Sequence, residues 1–202
     1  MLLFVVRHGQ TADNVNRVFP KDNNASPLTD RGVEQAQIVA EDLAGLGVEQ
    51  LRSSPALRAR QTSEIIARKI GLPIILDNRL MDVDLGRLAG RAYRDVGVDT
   101  LEEVEGYFTG VGPYGVEPYS HVSARLIDAV RETQTLGLQR VVFVTHQALI
   151  RCLAATTLKV SPGPWVGRIP ADNCSLTLIQ ANQDELKLKT LNWTPRRMIL
   201  EA

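Results

Sequence analysis

The feature that most constrains this chain is a series of short apolar runs, each followed by a stretch with helical periodicity. "LLFVV" (2–6) and "VVFVT" (141–145) are apolar, β-branched and closed by a polar residue, which predicts buried strands. "VEQL" (48–51) and "PIIL" (73–76) are weaker versions of the same signal. Between them, residues 29–45 predict a helix, with Thr29 as N-cap, Val33, Ala36, Ala40 and Leu43 on one face, and Gly45 and Gly47 at its end. "SSPALRARQTSEIIARKIG" (53–71) predicts another, with Ser54 as cap, Pro55 at the first helical position and Gly71 closing it. Further helices are expected near 120–136 and over "QALIRCLAATTL" (147–158), and "SLTLIQ" and "LKLKTL" end the chain as a hairpin-like pair. Strands alternating with helices predict an α/β fold, a three-layer sandwich with a mostly parallel central sheet and helices on both faces.

The length suits one well-cored domain, expected over 1–202. Residues 77–119 show no clean period and hold Tyr93, Tyr107, Phe108, Tyr114 and Tyr119, so they read as a lid or insertion within that domain. Lys+Arg and Asp+Glu are both 23, and this balance excludes the basic excess expected of a nucleic-acid or anionic-membrane binder. Any anion site must therefore be local. Two cysteines make no disulfide framework, and the apolar start is too short for a leader or a membrane span, so a cytoplasmic protein is expected. Nothing in the sequence bears on oligomeric state.

In an open α/β sheet, ligands bind at the carboxyl ends of the strands. Arg7 and His8 end the first strand, Arg58 opens the helix after the second, Asp82 and Asp84 follow the third, and His146 ends the fourth. Taken singly, each has an ordinary alternative: a packing histidine, a solvated arginine, a turn aspartate. Arg58, however, lies in a first helical turn, where the helix dipole disfavours a cation and a bound anion would offset that cost. Arg60, two residues on, reads as surface. Two histidines, two arginines and a carboxyl group at one sheet edge describe a phosphoryl-transfer site.

Other patterns are set aside. "GVGPYG" (110–115) matches a dinucleotide fingerprint literally but follows no strand and contains Pro113. His8, His121 and His146 lie far apart without cysteine support, so no zinc site is expected. "SEIIARKI" reads as a core-facing helix rather than a membrane anchor.

"VVRHGQTADN" (5–14) resembles the Arg-His-Gly signature of the histidine phosphatase superfamily, in the branch that includes phosphoglycerate mutases. "SPLTDRGVEQA", "SSPALRARQTSEI", "VVFVTHQALIRCL" and "PADNCSLTLI" are similar, in order, to later motifs of that family. The resemblance implies that His8 is a nucleophile that becomes a phosphohistidine. Arg7, Arg58 and His146 would clamp the phosphoryl oxygens, with Asn14 at the pocket edge. It implies no metal and no cofactor, since arginines and a histidine take over the charge neutralisation. The family's acid is a glutamate before a Gly-x-Trp-Glu-Gly stretch. Here the segment is "RLMDVDLGRLAG", which aligns Asp82 with that glutamate and leaves Asp84 as the fallback. Aspartate is shorter by about 1.5 Å of reach, so the backbone must move in for it to serve. Gln147 stands where the family commonly has glycine.

A mutase needs further cations for a substrate carboxylate. The lid offers Arg91 and Arg94, then turns acidic at Glu102, Glu103 and Glu105. The sequence thus points to metal-independent hydrolysis of a small phosphomonoester. Phosphoglycerate mutase-type transfer is the alternative, and a non-catalytic phospho-ligand binding module is the alternative from another class.

Overall fold

The computed structural model describes residues 1–96, 114–160, 164–182 and 185–194. Its strands are β1 (Leu2–Arg7), β2 (Gln50–Ser53), β3 (Ile74–Leu76), β4 (Arg140–Thr145), β5 (Leu176–Ala181) and β6 (Leu186–Trp193). Its α-helices are α1 (Ala12–Asn16), α2 (Asp30–Ala44), α3 (Leu57–Ile70), α4 (Tyr119–Thr135) and α5 (Gln147–Thr157). The sheet order is β3-β2-β4-β1-β5-β6, with β1 to β4 parallel and β5 and β6 antiparallel.

The central strands are buried on both faces, which is why they read as continuous apolar runs. Along β1 and β4 the pleat sends Leu3, Val5, Val141 and Phe143 to one side, where they meet Val122 and Leu126 of α4 and Leu149 and Leu153 of α5. Phe4, Val6, Val142 and Val144 face the other side, against Ala36, Val39 and Leu43 of α2 and Ile66 of α3. This is the expected three-layer sandwich. Thr29 caps α2 as its sequence predicts, accepting the Gly32 N–H.

Two local expectations are corrected. The second strand lies two residues later than "VEQL", over Gln50–Ser53, because Arg52 is drawn in with its head on Asp77 and Glu132. α3 starts at Leu57 with Ala56 as N-cap and no side-chain cap, so Ser54 and Pro55 precede the helix. The Ser54 hydroxyl instead accepts the Ala56 N–H at 3.3 Å and meets His146. Gly71 does close the helix, in the left-handed conformation.

Between β3 and α4 the described residues form only short 3₁₀ turns at Asn78–Leu80, Gly86–Leu88 and Tyr93–Val96. Tyr93 stacks on Phe19 with ring centroids 4.4 Å apart, Tyr119 is buried at the start of α4, and the Arg91 guanidinium lies over Tyr114. Tyr107, Phe108, the three lid glutamates and most of "GVGPYG" lie outside the described residues. Among the described residues, no helix is long and apolar enough to cross a membrane.

Candidate active site

The site grows from the register of two parallel strands. Arg7 of β1 pairs with Thr145 of β4, so the next residue of each strand, His8 and His146, leaves the sheet at the same level. Adjacent strands lie about 4.8 Å apart. The two imidazole centroids are accordingly 5.2 Å apart, with ring planes tilted by 58°. Two histidines 138 positions apart in sequence are thereby neighbours.

Gly9 lets the chain turn away beneath them. A Cβ there would lie 2.4 Å from the Gly32 carbonyl oxygen, so only glycine allows this loop to rest on the first turn of α2. The turn also sets the His8 tautomer. Its Nδ1 is 2.8 Å from the Gly9 carbonyl oxygen, which can only accept, so Nδ1 carries the proton. The bare Nε2 accepts a hydrogen bond from Arg58 Nε at 3.2 Å. Burial, followed by the nearby Arg58, His146 and Arg7, pushes the His8 pKa well below the ordinary histidine value. The ring is neutral, the protonation state a nitrogen nucleophile needs, and its Nε2 lone pair is held by Arg58 until a phosphoryl group displaces that hydrogen bond.

Arg58 projects from the first turn of α3. Its Nη2 donates to Asp82 Oδ2 at 2.9 Å, and its Nη1 is a buried donor with no acceptor among the described residues. Arg7 is alike. Its Nη1 donates to the Ala171 carbonyl at 2.7 Å and its Nε is buried without an acceptor. Burial, followed by repulsion from Arg151, pushes the Arg7 pKa down to about 10. Arg151 braces the same loop from beneath, donating to the carbonyls of Ile169 at 2.8 Å and Gly167 at 2.9 Å. His146 is fully buried, with Nε2 2.8 Å from Ser54 Oγ and Nδ1 3.3 Å from Asp82 Oδ2, out of line for a hydrogen bond. Burial, then Arg58, Arg7 and Arg125, keeps its pKa well below the usual value.

Asp82 thus meets both Arg58 and His146 through one carboxylate oxygen, while Oδ1 accepts the Val83 N–H at 3.0 Å. A negative oxygen at that point is what a phosphoryl oxygen would offer Arg58 Nη2. Asp84 is placed differently: its Oδ1 accepts the Gly86 N–H at 2.9 Å, and it does not line the chamber around His8. Asn14 lines that chamber, and its Oδ1 accepts from Thr11 N–H and from Asn173 Nδ2, both at 3.1 Å. Gln147 also lines the chamber, with Nε2 3.4 Å from the Ala171 carbonyl. Arg60 is half-buried rather than on the surface.

The chamber holding His8, Arg7, Arg58 and Asp82 encloses ≈ 80 Å³. It shares Arg58, Asp82, Val83, Leu85 and Pro20 with a larger cavity of ≈ 710 Å³. The outer cavity is lined by basic and acidic side chains together: Lys21, His121 and Arg125 with Asp22, Asp84 and Glu117. Arg91 and Arg94 line neither space; Arg91 donates to the Asp95 carbonyl and Arg94 faces Asp95 at the surface. Among the described residues, no cluster of three or more His, Cys, Asp or Glu side chains could hold a metal ion.

Several residues at the site carry no sequence signal of their own. Ser54 reads as a helix cap, Arg125 as one charge in an amphipathic helix, and Arg151 as another. Asn173, whose Nδ2 donates to the His8 carbonyl at 3.0 Å, stands in the "PADNCSLTLI" motif, where its spacing from β5 could have singled it out.

The model of the histidine phosphatase superfamily (branch 1) matches residues 3–194. A curated relative from Cronobacter sakazakii, named "Probable phosphoglycerate mutase GpmB", is 33% identical over 191 residues, covering 90% of this chain and 85% of the relative. A mycobacterial glucosyl-3-phosphoglycerate phosphatase, in complex with VO₃, superposes with a TM-score of 0.84 at 26% identity, covering 96% of this chain and 99% of the other. The α-ribazole phosphatase of Shigella flexneri superposes with a TM-score of 0.78 at 25% identity, covering 95% and 96% of the two chains.

Proposed function

The chain belongs to the histidine phosphatase superfamily and is an enzyme of the histidine phosphatase type, and from that premise we propose that it hydrolyses a small phosphomonoester through a phosphohistidine on His8. One observation carries the reading. Arg7 Nε and Arg58 Nη1, buried donors without acceptors among the described residues, belong to side chains that line one small chamber with the neutral His8 ring. Buried orphan donors are rare and costly, and a phosphoryl group supplies the acceptors they lack.

In this reading the substrate's phosphoryl oxygens take the place of Asp82 Oδ2 against Arg58 and His146, with Arg7 closing the clamp. Asn14, tied through Asn173 to the His8 carbonyl, borders the phosphoryl group. The His8 Nε2 lone pair forms the N–P bond in line with the departing oxygen. The P–O bond electrons go to that oxygen, which takes a proton from the carboxyl group of Asp82 and leaves as an alcohol. The Gly9 carbonyl holds the Nδ1 proton throughout, so the phosphorylated ring keeps its orientation. Water then gives a proton to the Asp82 carboxylate, its oxygen attacks phosphorus, and the N–P bond breaks to release phosphate and restore His8. The positive charge this step needs comes from the fixed guanidinium groups of Arg7 and Arg58.

The mixed lining of the outer cavity favours a monoester over a polyanion, since Asp22, Asp84 and Glu117 stand around it. A second reading, transfer between positions of a phosphorylated acid, draws on the name of the Cronobacter relative and on Lys21 and His121. These line the cavity without an ion-pair partner among the described residues, and Arg91 and Arg94 do not reach it. The decisive experiment measures phosphate release from p-nitrophenyl phosphate and an alkyl phosphomonoester panel in excess chelator. We expect turnover on both. Production of 2-phosphoglycerate from 3-phosphoglycerate with a bisphosphate primer, faster than phosphate release, would overturn hydrolysis in favour of transfer; phosphate binding without turnover would favour the binding-module reading.

A further inference from the structure

The geometry points to Arg125 as the residue that positions Asp82 for proton donation, an inference that rests on the hydrolytic reading above. Arg125 stands in the second turn of α4, whose neighbours Val122, Leu126, Ala129 and Val130 are buried in the core, so its base is rigid. A guanidinium has five N–H donors, and here five hydrogen bonds are made. Nη1 donates to the carbonyls of Arg79 and Met81, each at 2.7 Å. Nη2 donates to the carbonyl of Asp82 at 3.1 Å and to Glu117 Oε2 at 3.0 Å, and Nε donates to Glu117 Oε1 at 3.0 Å.

Glu117 extends the grip past Asp82. Its Oε2 accepts the Asp84 N–H at 3.2 Å, and its own N–H donates to the Asp84 carbonyl at 2.8 Å. The backbone is therefore held on both sides of Asp82, at 79 to 82 by Arg125 and at 84 by Glu117. The Leu80 carbonyl is pinned from below by Thr145 Oγ1 at 2.8 Å, one residue before His146. Held in this way, a carboxyl group one methylene shorter than glutamate still lines the chamber beside His8. Arg125 thus supplies the reach the side chain lacks. Arg125 touches no reacting atom in this scheme; it acts through Asp82.

The test is a double-mutant cycle on the full chain, read with two substrates. Departure of p-nitrophenolate needs little protonation, whereas departure of an alkoxide from glycerol 2-phosphate needs an acid. Arg125→Met is expected to lower kcat on glycerol 2-phosphate by about 10- to 100-fold and on p-nitrophenyl phosphate by no more than about threefold. In an Asp82→Asn background the same change should produce no further selective loss, because the group it positions is gone. Glu117→Gln, which leaves the Nη1 bonds in place, should show the same selectivity at about 3- to 10-fold, and it decides the question if Arg125→Met does not fold. Equal losses on both substrates, or a selective loss that persists in the Asp82→Asn background, would overturn the inference. If wild type turns over and Asp82→Asn itself shows no substrate selectivity, the acid assignment fails and Arg125 loses its role with it.

Discussion

Two groups of arginine lie near the carboxyl ends of the strands, and they are wired in opposite ways. Arg52 of β2 donates from Nε to Gln50 at 2.7 Å and from Nη1 to Asp77 at 3.2 Å and Glu132 at 3.0 Å. Arg79 closes that cluster with bonds of 2.9 and 2.8 Å to Asp77 and an ion pair to Glu132 at 2.8 Å. Arg7 and Arg58, equally buried, each keep a donor with no acceptor among the described residues, in a chamber that Asp13 and Asp82 also line, beside two neutral histidines. The first cluster has spent its charge on the fold. The second holds charge in reserve, at a cost in stability, in a chamber of phosphoryl size. Burial does not separate the two; the count of unsatisfied donors does.

That contrast predicts opposite costs for the same substitution. Arg58→Met should lower kcat/KM for any phosphomonoester by about 10²- to 10³-fold, as loss of a clamp donor does, while the melting temperature stays within about 3 °C of the parent. A large fall in melting temperature with activity kept would place Arg58 with the structural cluster. Arg52→Met should do the reverse. It leaves the buried Asp77 with one partner fewer and should cost about 2–3 kcal/mol of stability by urea denaturation, with kcat/KM of the folded protein unchanged.

The smallest effect is a separation in pH. His8 and His146 have folded-state pKa values below the ordinary value of about 6.5, mainly through burial, so the unfolded chain binds more protons. Their contribution to stability is present above about pH 6.5 and is lost as pH falls below it. For Asp77, burial alone would raise the pKa, but hydrogen bonds from Arg79 and Arg52 carry it below the ordinary carboxylate range. Its contribution is present above about pH 4 and lost only below that. Melting temperature against pH should therefore fall in two steps, and Arg52→Met should shrink only the lower one. A single step at carboxylate pH would remove the neutral-histidine assignment.

The strand ends were legible in the sequence because parallel pairing converts a local pattern, apolar run then Arg-His or Thr-His, into a spatial one. Arg7, His8 and His146 needed only the register of β1 on β4 to meet. Asp82 was legible from its place after β3, but not its single-oxygen bridge, which depends on Arg125 from α4. Ser54 misled because a serine before a proline and a helical run is the usual capping pattern. Here a histidine 92 residues away competes for that hydroxyl. Long-range polar pairing of this kind leaves no period in the chain, so Ser54, Arg125 and Arg151 emerge only once the layers are packed.

The central claim is that His8 Nε2 takes the phosphoryl group. Rapid acid-free quenching of wild-type protein with ³²P-labelled phosphomonoester, followed by peptide mapping, tests it directly. An acid-labile, alkali-stable label is expected on His8, absent from His8→Ala together with turnover. Label on His146, or turnover persisting in His8→Ala, would contradict it.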